Sequence, residues 1–368
     1  MRAALVLLLC AVTAAPSVAQ ESRKDTRPPI APDIRDDETR LKIQRGDFVV
    51  VPIPISNPTL DSGLVGGAAY FYPQTEEEKK AEPASLTALA GLYTSNDSRA
   101  LVAVQQNYWR NGRWRFTGAI GGADLRLSLL TSENSTTSWR INGGLLFAKI
   151  ARRIKGNWYG GLLTRAVDAK QTIEIDVDDS DFTADLDLGD VRSVGLGAYV
   201  EYDSRDMPTN AYSGRYFKFD ALFNDESIGS NNTYQNYAAS FRSYHQLRDS
   251  LVLAWQLQAC TRQGTTPLWD ACTLPLRGFS LTDYLGSNTL IGQFETRWQM
   301  SKRWGLVGFV GSGYVGGSLN DINEREGIPS YGAGVRFMVL PAKRVNIRLD
   351  FAWSTDSNAI HLSVGEAF

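Results

Sequence analysis

Apolar and polar side chains alternate along this chain in segment after segment from Asp47 onward, and no long apolar run occurs after residue 19. One face of residues 345–354 carries Val345, Ile347, Leu349, Phe351 and Trp353. The other face carries Asn346, Arg348, Asp350 and Ser354. A period of two is that of a β-strand, and a soluble sandwich would bury these charges at a cost of several kcal/mol each. The pattern predicts an all-β fold, a transmembrane antiparallel β-barrel with one face in lipid and the other in a wet lumen.

The first 19 residues have the three parts of a secretory signal peptide. Arg2 is the positive start, residues 4–12 are the apolar stretch, and residues 17–19 (Ser-Val-Ala) precede a cleavage site. The apolar stretch is too short to span a bilayer as a helix. Cys10 lacks the small preceding residue of a lipoprotein signal, so we expect it to be removed with the signal. Residues 20–46 are charged and rich in proline, which predicts a periplasmic tail or a short plug.

Residues 47–368 consist of alternating strands and turns, and this range is the predicted barrel. Fifteen strands are clear, at about 63–72, 85–95, 99–110, 113–127, 138–150, 157–174, 192–204, 212–224, 233–246, 250–261, 288–300, 304–315, 330–340, 345–354 and 359–368. Bacterial single-chain barrels have an even number, so a sixteenth is assigned to residues 47–56, where Pro52 and Pro54 suit an edge. Fourteen strands are the alternative, if residues 47–56 and one hairpin lie in the periplasm.

Sixteen strands close the barrel by pairing the first strand with the last and place both chain ends in the periplasm. The tight connections then lie on the periplasmic side, and the acidic segment 176–190 and the segment 263–286 lie outside. Short connections inside and long ones outside are the usual asymmetry of such barrels. The topology therefore predicts a protein of the outer membrane of a Gram-negative bacterium.

Charge and composition exclude one class of partner. The formal net charge is −2, whereas nucleic-acid binding needs a basic face, so no nucleic-acid partner is expected. Aromatic residues make up 11% of the chain and fit the girdles at the two membrane interfaces. Outer-membrane lipid and lipopolysaccharide are the expected partners there. No cofactor and no metal site is predicted.

Two of the three cysteines, Cys260 and Cys272, remain once the signal is removed. An even pair in an exported chain predicts a disulfide, with two free thiols as the alternative. Metal binding would need more ligands, and no histidine lies nearby. Segment 176–190 is acidic and superficially similar to a calcium loop, but Asp181 and Asp187 stand where glycine and glutamate belong. A solvated loop is expected, with specific calcium binding as the alternative.

Two motifs resemble those of a known family. Leu276-Arg277-Gly278-Phe279, in a long loop five strands before the end, is similar to the RGF loop tip of the BamA/TamA outer-membrane assembly family, also called the bacterial surface antigen family. Three strands earlier, residues 202–208 (YDSRDMP) and 213–215 (SGR) resemble the family's other signature, an aspartate-arginine turn that leads to a glycine. Its matching residues are Asp203, Arg205, Asp206 and Gly214, and Phe368 is the aromatic C-terminal barrel signal. The resemblance covers residues 47–368.

The resemblance implies that the RGF loop folds back into the lumen, where Arg277 pairs with carboxylates on the barrel wall. The inner face of the next strand carries Gln293, Glu295, Arg297 and Gln299. Glu295 is the expected partner, because a confined guanidinium is best matched by a carboxylate. The alternative is that these residues are ordinary lumen-facing charges. Family members often have an aspartate at the position of Gly311, so the second carboxylate is expected to be missing.

The family acts in the insertion or translocation of proteins at the outer membrane, and the resemblance implies that function here, with unfolded outer-membrane or secreted proteins as clients. The first and last strands would pair weakly, because Pro52 and Pro54 lack backbone donors, and the seam would open sideways to a client strand. No POTRA domains precede the barrel in this sequence. We therefore expect a narrower client, a periplasmic partner that replaces those domains, or a barrel that no longer transports.

Two other classes of function are alternatives. A closed structural barrel or a modest diffusion pore would have the same fold and no protein client. An enzyme has little support, because His245 and His361 are the only histidines and neither lies in a nucleophile motif. Alternation alone places His361 and Ser363 on one face of the last strand. We expect no catalytic activity.

Overall fold

The chain forms a closed antiparallel β-barrel of sixteen strands. The computed structural model describes residues 46–75, 78, 82–132, 135–177, 183–318, 326–355 and 357–368. The strands are β1 (Asp47–Asn57), β2 (Asp61–Phe71), β3 (Leu86–Thr94), β4 (Arg99–Trp109), β5 (Trp114–Ser132), β6 (Ser135–Lys155), β7 (Trp158–Val177), β8 (Thr183–Asp203), β9 (Gly214–Asn224), β10 (Tyr234–Arg248), β11 (Leu251–Gly264), β12 (Cys272–Thr273), β13 (Leu285–Gly286), β14 (Asn288–Gln299), β15 (Trp304–Gly316), β16 (Ile328–Leu340), β17 (Val345–Trp353) and β18 (Asn358–Val364).

Each barrel strand pairs with its neighbours in the chain, except that β11 pairs with β14, and β1 pairs with β18 to close the ring. The short strands β12 and β13 form a separate two-stranded sheet. The predicted barrel of sixteen strands closed by its first and last strands is therefore confirmed, and the alternative of fourteen is wrong. The predicted signal peptide (1–19) and nearly all of the predicted tail (20–46) lie outside the described residues. Within the described part of the chain, no helix is long and apolar enough to cross a membrane.

The barrel has a turn end and a loop end. The turn end carries the short connections 110–113, 156–157, 249–250, 300–303 and 341–344. The loop end carries the long connection 265–287. Because the number of strands is even, β1 begins and β18 ends at the turn end. In the 110–113 turn, Arg110, Asn111 and Gly112 have φ angles of 54°, 59° and 67°, a left-handed conformation that favours asparagine and glycine.

Strands β5 to β8 have 19, 21, 20 and 21 residues, and they continue beyond the pairing of Arg99 with Asp124 and of Gly195 with Asn224. They therefore extend past the rim that β4 and β9 form at the loop end. The prediction of an acidic loop at 176–190 is wrong for residues 183–190, which belong to β8 and pair with β7. Since both faces of this hairpin are exposed there, its aspartates stay in water at little cost. Residues 178–182 lie outside the described part.

The outer face is apolar in the middle and aromatic near its ends. Ile120, Leu146 and Leu162 are 62%, 50% and 66% exposed, as expected for side chains that face lipid. Aromatic residues meet across neighbouring strands at the turn end in three groups: Trp109 with Phe116, Trp158 with Tyr202 and Phe217, and Trp304 with Phe337. This arrangement is typical of an interfacial aromatic girdle.

The inner face differs between the two halves of the barrel. Strands β2 to β7 contribute a buried apolar set that consists of Val65, Ala90, Leu92, Val102, Val104, Ala119, Leu125, Leu127, Trp139, Ile141, Leu145, Val167 and Ala169. Leu60, after β1, and Trp269, in the 265–287 connection, pack against this set. Strands β9 to β17 contribute buried polar and charged side chains, among them Asp220, Asn236, Gln256, Gln293, Glu295, Arg297, Arg336, Asn346 and Asp350. The inner face of the first half is therefore more apolar than the alternation predicted, although it also carries buried polar residues such as Gln106, Asp124 and Arg165.

The lipid-facing assignment predicts the effect of a charge on the outer face. Ile120→Lys, in the middle part of β5, should destabilise the barrel by about 2–4 kcal/mol, because a charge near the bilayer midplane loses its hydration. Urea-induced unfolding in liposomes, followed by tryptophan fluorescence, measures the change. Leu186→Lys is the control, since Leu186 is similarly exposed on the hairpin past the rim and should change stability by less than about 0.5 kcal/mol. Equal losses at both sites would contradict the assignment.

Candidate functional site: the lumen loop and its contacts with the barrel wall

The connection between β11 and β14, residues 265–287, folds into the barrel and is called the lumen loop. It contains a short 3-10 helix at Leu268–Asp270 and the two strands β12 and β13, which pair with each other near the base of the loop. Its apolar side chains Trp269, Leu274, Leu276 and Phe279 are all buried. Their burial stabilises the inward position of the loop by the hydrophobic effect.

Arg277, near the tip of the loop, is clamped between two carboxylates. Its Nη2 lies 2.7 Å from Oε2 of Glu295 on β14, and its Nη1 lies 2.9 Å from Oδ2 of Asp350 on β17. The ring of Phe309 on β15 lies 3.4 Å from the guanidinium carbon, which gives a cation–π contact. Both carboxylates are completely buried. The tip is thereby fixed to the polar wall by charge-assisted hydrogen bonds, which are the strong ones in a confined site.

The expected absence of a second carboxylate is wrong. Gly311 is on β15, opposite Gln293, and supplies no ligand for Arg277. Asp350 supplies it from β17, two strands beyond β15. The sequence contained a signal for this residue, since Asp350 is one of the charged residues on the inner face of segment 345–354.

Gly278 and Phe279 have separate structural roles. Gly278 has φ +112°, and an added Cβ would lie 3.1 Å from the carbonyl carbon of Trp353, so only glycine fits against β17. Its own carbonyl accepts a hydrogen bond from Oγ of Ser357 at 2.7 Å. The ring of Phe279 packs edge-on against Tyr284 and lies in a cluster with Leu274, Leu276 and Ile291. The three residues of the motif thus serve as ion pair, close backbone contact and apolar anchor.

Each carboxylate that binds Arg277 also binds a second arginine. Arg297 Nε lies 2.8 Å from Glu295, and Arg336 Nη1 lies 2.5 Å from Asp350. Full pairing is required here, because an uncompensated buried charge would be strongly destabilising. The sequence placed Arg297 on the correct face but gave no role to Arg336, which is one of many inward arginines.

The same two arginines hold the last residues of the chain inside the barrel. Arg297 Nη2 donates to the carbonyl of Phe368 at 2.9 Å, and Arg336 Nε lies 2.8 Å from Glu366. The prediction of a strand through residue 368 is wrong for its last four residues, since β18 ends at Val364 and Gly365 turns inward with φ +94°. The physical reason is alternation: a continued strand would direct Glu366 to the same outer face as Ile360, Leu362 and Val364. Phe368 is buried in the lumen, whereas a C-terminal strand would have placed it on that outer face.

The aspartate-arginine motif lies in the β8–β9 connection, residues 204–213, at the turn end. Arg205 donates to both oxygens of Asp203, at 3.0 and 2.7 Å. Oδ1 of Asp206 accepts from the backbone N–H groups of Tyr212 and Ser213. Gly214 has φ +102°, and an added Cβ would lie 2.2 Å from the carbonyl oxygen of Ser204, so the motif closes a compact turn that requires glycine.

This connection also contacts the opposite side of the barrel mouth. Asp206 pairs at 2.6 Å with Arg344 of the β16–β17 turn, and Asn210 accepts from Arg297 at 3.2 Å. The guanidinium of Arg344 lies 3.9 Å from the ring centre of Tyr212. Burial raises the pKa of the Tyr212 phenol, and the nearby Arg344 charge partly opposes that shift. Residues 204–213 therefore join β8 and β9 to the wall that holds the chain's last residues.

A disulfide joins Cys260 on β11 to Cys272 in the lumen loop, with an S–S distance of 2.01 Å and a Cα–Cα distance of 5.8 Å. The predicted bond is confirmed. It fastens the first arm of the loop to the wall from which that arm starts. Among the residues that the structure describes, no three His, Cys, Asp or Glu side chains form a group that could hold a metal ion.

A family model, described as the Omp85 superfamily domain, matches residues 82–368. The chain belongs to the Omp85 superfamily. Similar folds occur in BamA from Haemophilus ducreyi lacking POTRA domains 1–3 (12% identity, TM-score 0.62, covering 88% of this chain and 70% of that one) and in CdiB from Escherichia coli (12%, 0.57, 89% and 68%). CdiB from Acinetobacter baumannii is also similar, with 10% identity and a TM-score of 0.56. That match covers 86% of this chain and 59% of the CdiB chain. At such identities the likeness shows a shared fold. A comparison with curated proteins finds no match.

An Omp85 barrel is a protein of the Gram-negative outer membrane, and the lipid-facing belt and aromatic girdle of this chain agree with that location. The site of this Omp85 barrel is thus a loop that occupies its own lumen. It is held by Arg277 on one wall and lies next to the interior segment 365–368. Such an arrangement can brace or close the barrel.

Loss of the Arg277 side chain should destabilise this Omp85 barrel. Arg277→Ala removes one of the two cations beside Glu295 and one of the three beside Asp350, and breaking such a buried pair costs about 3–5 kcal/mol. Urea unfolding in liposomes measures the loss. Arg99→Ala is the matched control, because Arg99 pairs with Asp124 while its side chain is 70% exposed, and should cost at most about 1 kcal/mol. A loss at Arg277 no larger than at Arg99 would refute a buried clamp.

Reduction of the disulfide should have a smaller and separable effect. The bond closes a segment with a sequence separation of 12 residues. In the chain-entropy model its loss costs about 3 kcal/mol, because the unfolded chain gains freedom. Urea unfolding with and without a reductant gives the value. A Cys260→Ser, Cys272→Ser double variant is the control that should not respond to the reductant.

Proposed function

We propose that this Omp85 barrel inserts or translocates protein segments at the outer membrane through the seam between β1 and β18. The observation that carries the proposal is the weakness of that seam. Among the described residues, β1 and β18 pair only at Ser56 with Leu362, whereas β1 and β2 pair at every position from Asp47 to Asn57. A barrel that must only span a membrane has no use for an incomplete interface, because unpaired backbone groups are costly in lipid.

The first half of β1 therefore has a free edge. Phe48 and Val50 are 68% and 65% exposed, and the residues between and after them are exposed as well. Pro52 and Pro54 have no N–H, yet the ladder to β2 is continuous through both. Since alternate residues of a strand direct their backbone groups to opposite neighbours, the two missing donors belong to the edge that faces β18.

The partner of this edge is folded away. The register of Ser56 with Leu362 would place Val364 opposite Pro54, and Glu366 opposite Pro52, if β18 continued. Instead the chain turns inward at Gly365, and Arg336 and Asn346 hold Glu366 in the lumen at 2.8 and 2.5 Å. An extended client segment would pair with the vacant edge of β1 by β-augmentation, in which main-chain hydrogen bonds supply the affinity.

The lumen loop gives this mechanism its direction. Its apolar residues and the Arg277 clamp fill the interior, so a client would be guided to the seam and the membrane. A diffusion pore is disfavoured by the same packing. In this proposal the loop end faces outward, where lipopolysaccharide surrounds it, and both chain ends lie in the periplasm. Unfolded outer-membrane or secreted proteins are the clients, and a periplasmic partner delivers them.

No catalytic step is included. Nε2 of His361, on β18, accepts a hydrogen bond from the backbone N–H of Gly278 at 3.4 Å. Nε2 of His245 lies 2.9 Å from Oγ of Ser243. The first contact supports a role for His361 in seating the tip of the lumen loop. The second involves neighbouring residues of one strand. Neither contact forms a relay in which a histidine binds a nucleophile on one side and an acidic residue on the other, which is the arrangement that covalent catalysis needs.

In-cell photo-crosslinking at Val51 and, separately, at Leu362 tests the proposal. Both positions should capture outer-membrane or secreted precursors, because Val51 lies on the vacant edge of β1 and Leu362 lies at the single pair that must open when a client strand enters the seam. Leu101 on β4 is the control: it is exposed to lipid but lies between two fully paired strands, and should give lipid adducts only. If Val51 and Leu362 give only lipid adducts or a bridge to each other, the seam is shut and the chain is a closed structural barrel.

A further inference from the structure

The lumen loop has a second buried attachment, at Asp270. One Asp270 oxygen accepts from Arg165 Nη1 at 3.1 Å, and the other accepts from Asn236 at 2.7 Å and from the Tyr234 hydroxyl at 3.0 Å. Arg165 Nη2 also pairs with the carboxylate. Arg262 Nε donates to the backbone carbonyl of Asp270 at 2.7 Å. The side chain of Asp270 is fully buried, and a buried carboxylate is tolerated only with such complete pairing.

The Arg165 part of this attachment lies across the barrel from the Arg277 clamp, and the other partners of Asp270 lie on β10 and β11. Arg165 is on β7 and Asp350 is on β17, and these strands are eight positions apart in the ring of sixteen. The ring of Trp269 lies 4.9 Å from the Arg165 guanidinium and packs into the apolar wall of β2 to β7. The loop therefore crosses the lumen and is fastened to both sides of it.

The disulfide belongs to the Asp270 side. Cys272 is two residues after Asp270 and is bonded to Cys260 on β11, the strand that also carries Arg262. Residues 265–272 thus have a carboxylate anchor and a covalent anchor on neighbouring strands. Residues 274–284 are held to the wall by Arg277, by the carbonyls of Arg277 and Gly278, and by hydrogen bonds between Ser280 and Thr59 and from Thr282 to Ser128.

We propose that Asp270 is a second anchor of the lumen loop and that the loop consists of two independently released arms. Residues 265–273 and 285–287, which the pairing of β12 with β13 holds together, form a fixed arm, and residues 274–284 form a releasable arm. Asp270 is a positioning residue: it acts by holding the fixed arm, so that loss of the Arg277 clamp moves the tip without withdrawing the loop from the lumen. The inference deepens the proposed function, because it assigns to the fixed arm the continued closure of the lumen while the seam is in use.

Chymotrypsin digestion of the full barrel in detergent micelles distinguishes the two arms. The enzyme cuts after Trp269 in the fixed arm, and after Phe279 and Tyr284 in the releasable arm. Mass spectrometry after reduction reports each cut. Circular dichroism establishes that each variant is folded before digestion. Loop attachment is read directly, so a negative result in client crosslinking and a negative result here are distinguishable.

Arg277→Ala should speed cutting after Phe279 and Tyr284 by about tenfold or more and leave Trp269 protected, since local opening follows the loss of local interactions. Asp270→Ala should give the reverse pattern. Asp187→Ala is the control: Asp187 is an exposed carboxylate that pairs with Lys170 on the hairpin past the rim, away from the lumen loop, and neither site should change. Should Asp270→Ala fail to fold, Asn236→Ala combined with Arg165→Lys removes donors from Asp270 and should expose Trp269.

Two results would overturn the inference. If Arg277→Ala exposes Trp269 as fast as Phe279, the loop moves as one unit. If Trp269 stays protected in folded Asp270→Ala, or in the Asn236→Ala, Arg165→Lys variant that replaces it, then packing and the disulfide hold the first arm and Asp270 does not.

Discussion

The structure depends on one constraint, that a backbone in lipid must find its hydrogen-bond partners within the protein. Antiparallel ladders meet that requirement around the whole ring except at the junction of β1 and β18. At this junction β18 is the shortest strand of the barrel, and most residues of β1 are exposed. The segment that would complete the junction, residues 365–368, is inside the barrel. The lumen loop and the other interior features therefore lie in a barrel whose strands are well paired at every junction except that of β1 with β18.

The lumen accommodates its charges by sharing them. Arg277 binds both Glu295 and Asp350. Glu295 also binds Arg297, and Asp350 also binds Arg336 and lies 3.8 Å from Arg348. Arg297 and Arg336 in turn bind the last residues of the chain. Because removal of one member leaves its partners buried and unpaired, such a network has few stable partial states. The position of the loop tip and the position of residues 365–368 are therefore linked through two carboxylates, even though the loop and these residues enter the barrel from opposite ends.

Much of this could be read from the sequence, because lipid imposes a strict period of two. The strand number follows from alternation and parity, and the disulfide follows from an even pair of cysteines in an exported chain. The inward position of Arg277 follows from the resemblance of its motif to that of a known family. What could not be read depends on contacts between distant segments. Asp350 was visible as an inner residue, but its pairing with Arg277 depends on how far the loop reaches. Asp270 lies in a short irregular stretch with no period, and its partners come from three separate strands. The inward turn after Val364 departs from the alternation. A continued strand would place the charged Glu366 on the outer face, which indicates that the strand ends before it.

The two prolines of β1 have a kinetic consequence. A strand that pairs with the free edge of β1 finds acceptors at positions 52 and 54 but no donors, and so forms two hydrogen bonds fewer than it would beside a complete edge. Each missing bond weakens the pairing by about 0.5–1.5 kcal/mol. Because weaker pairing is expressed mainly in dissociation, the residence time of the bound strand falls by roughly five- to a hundredfold. In the proposed mechanism, the edge of β1 is therefore a template that binds a client strand briefly and is soon vacant again, as repeated turnover requires.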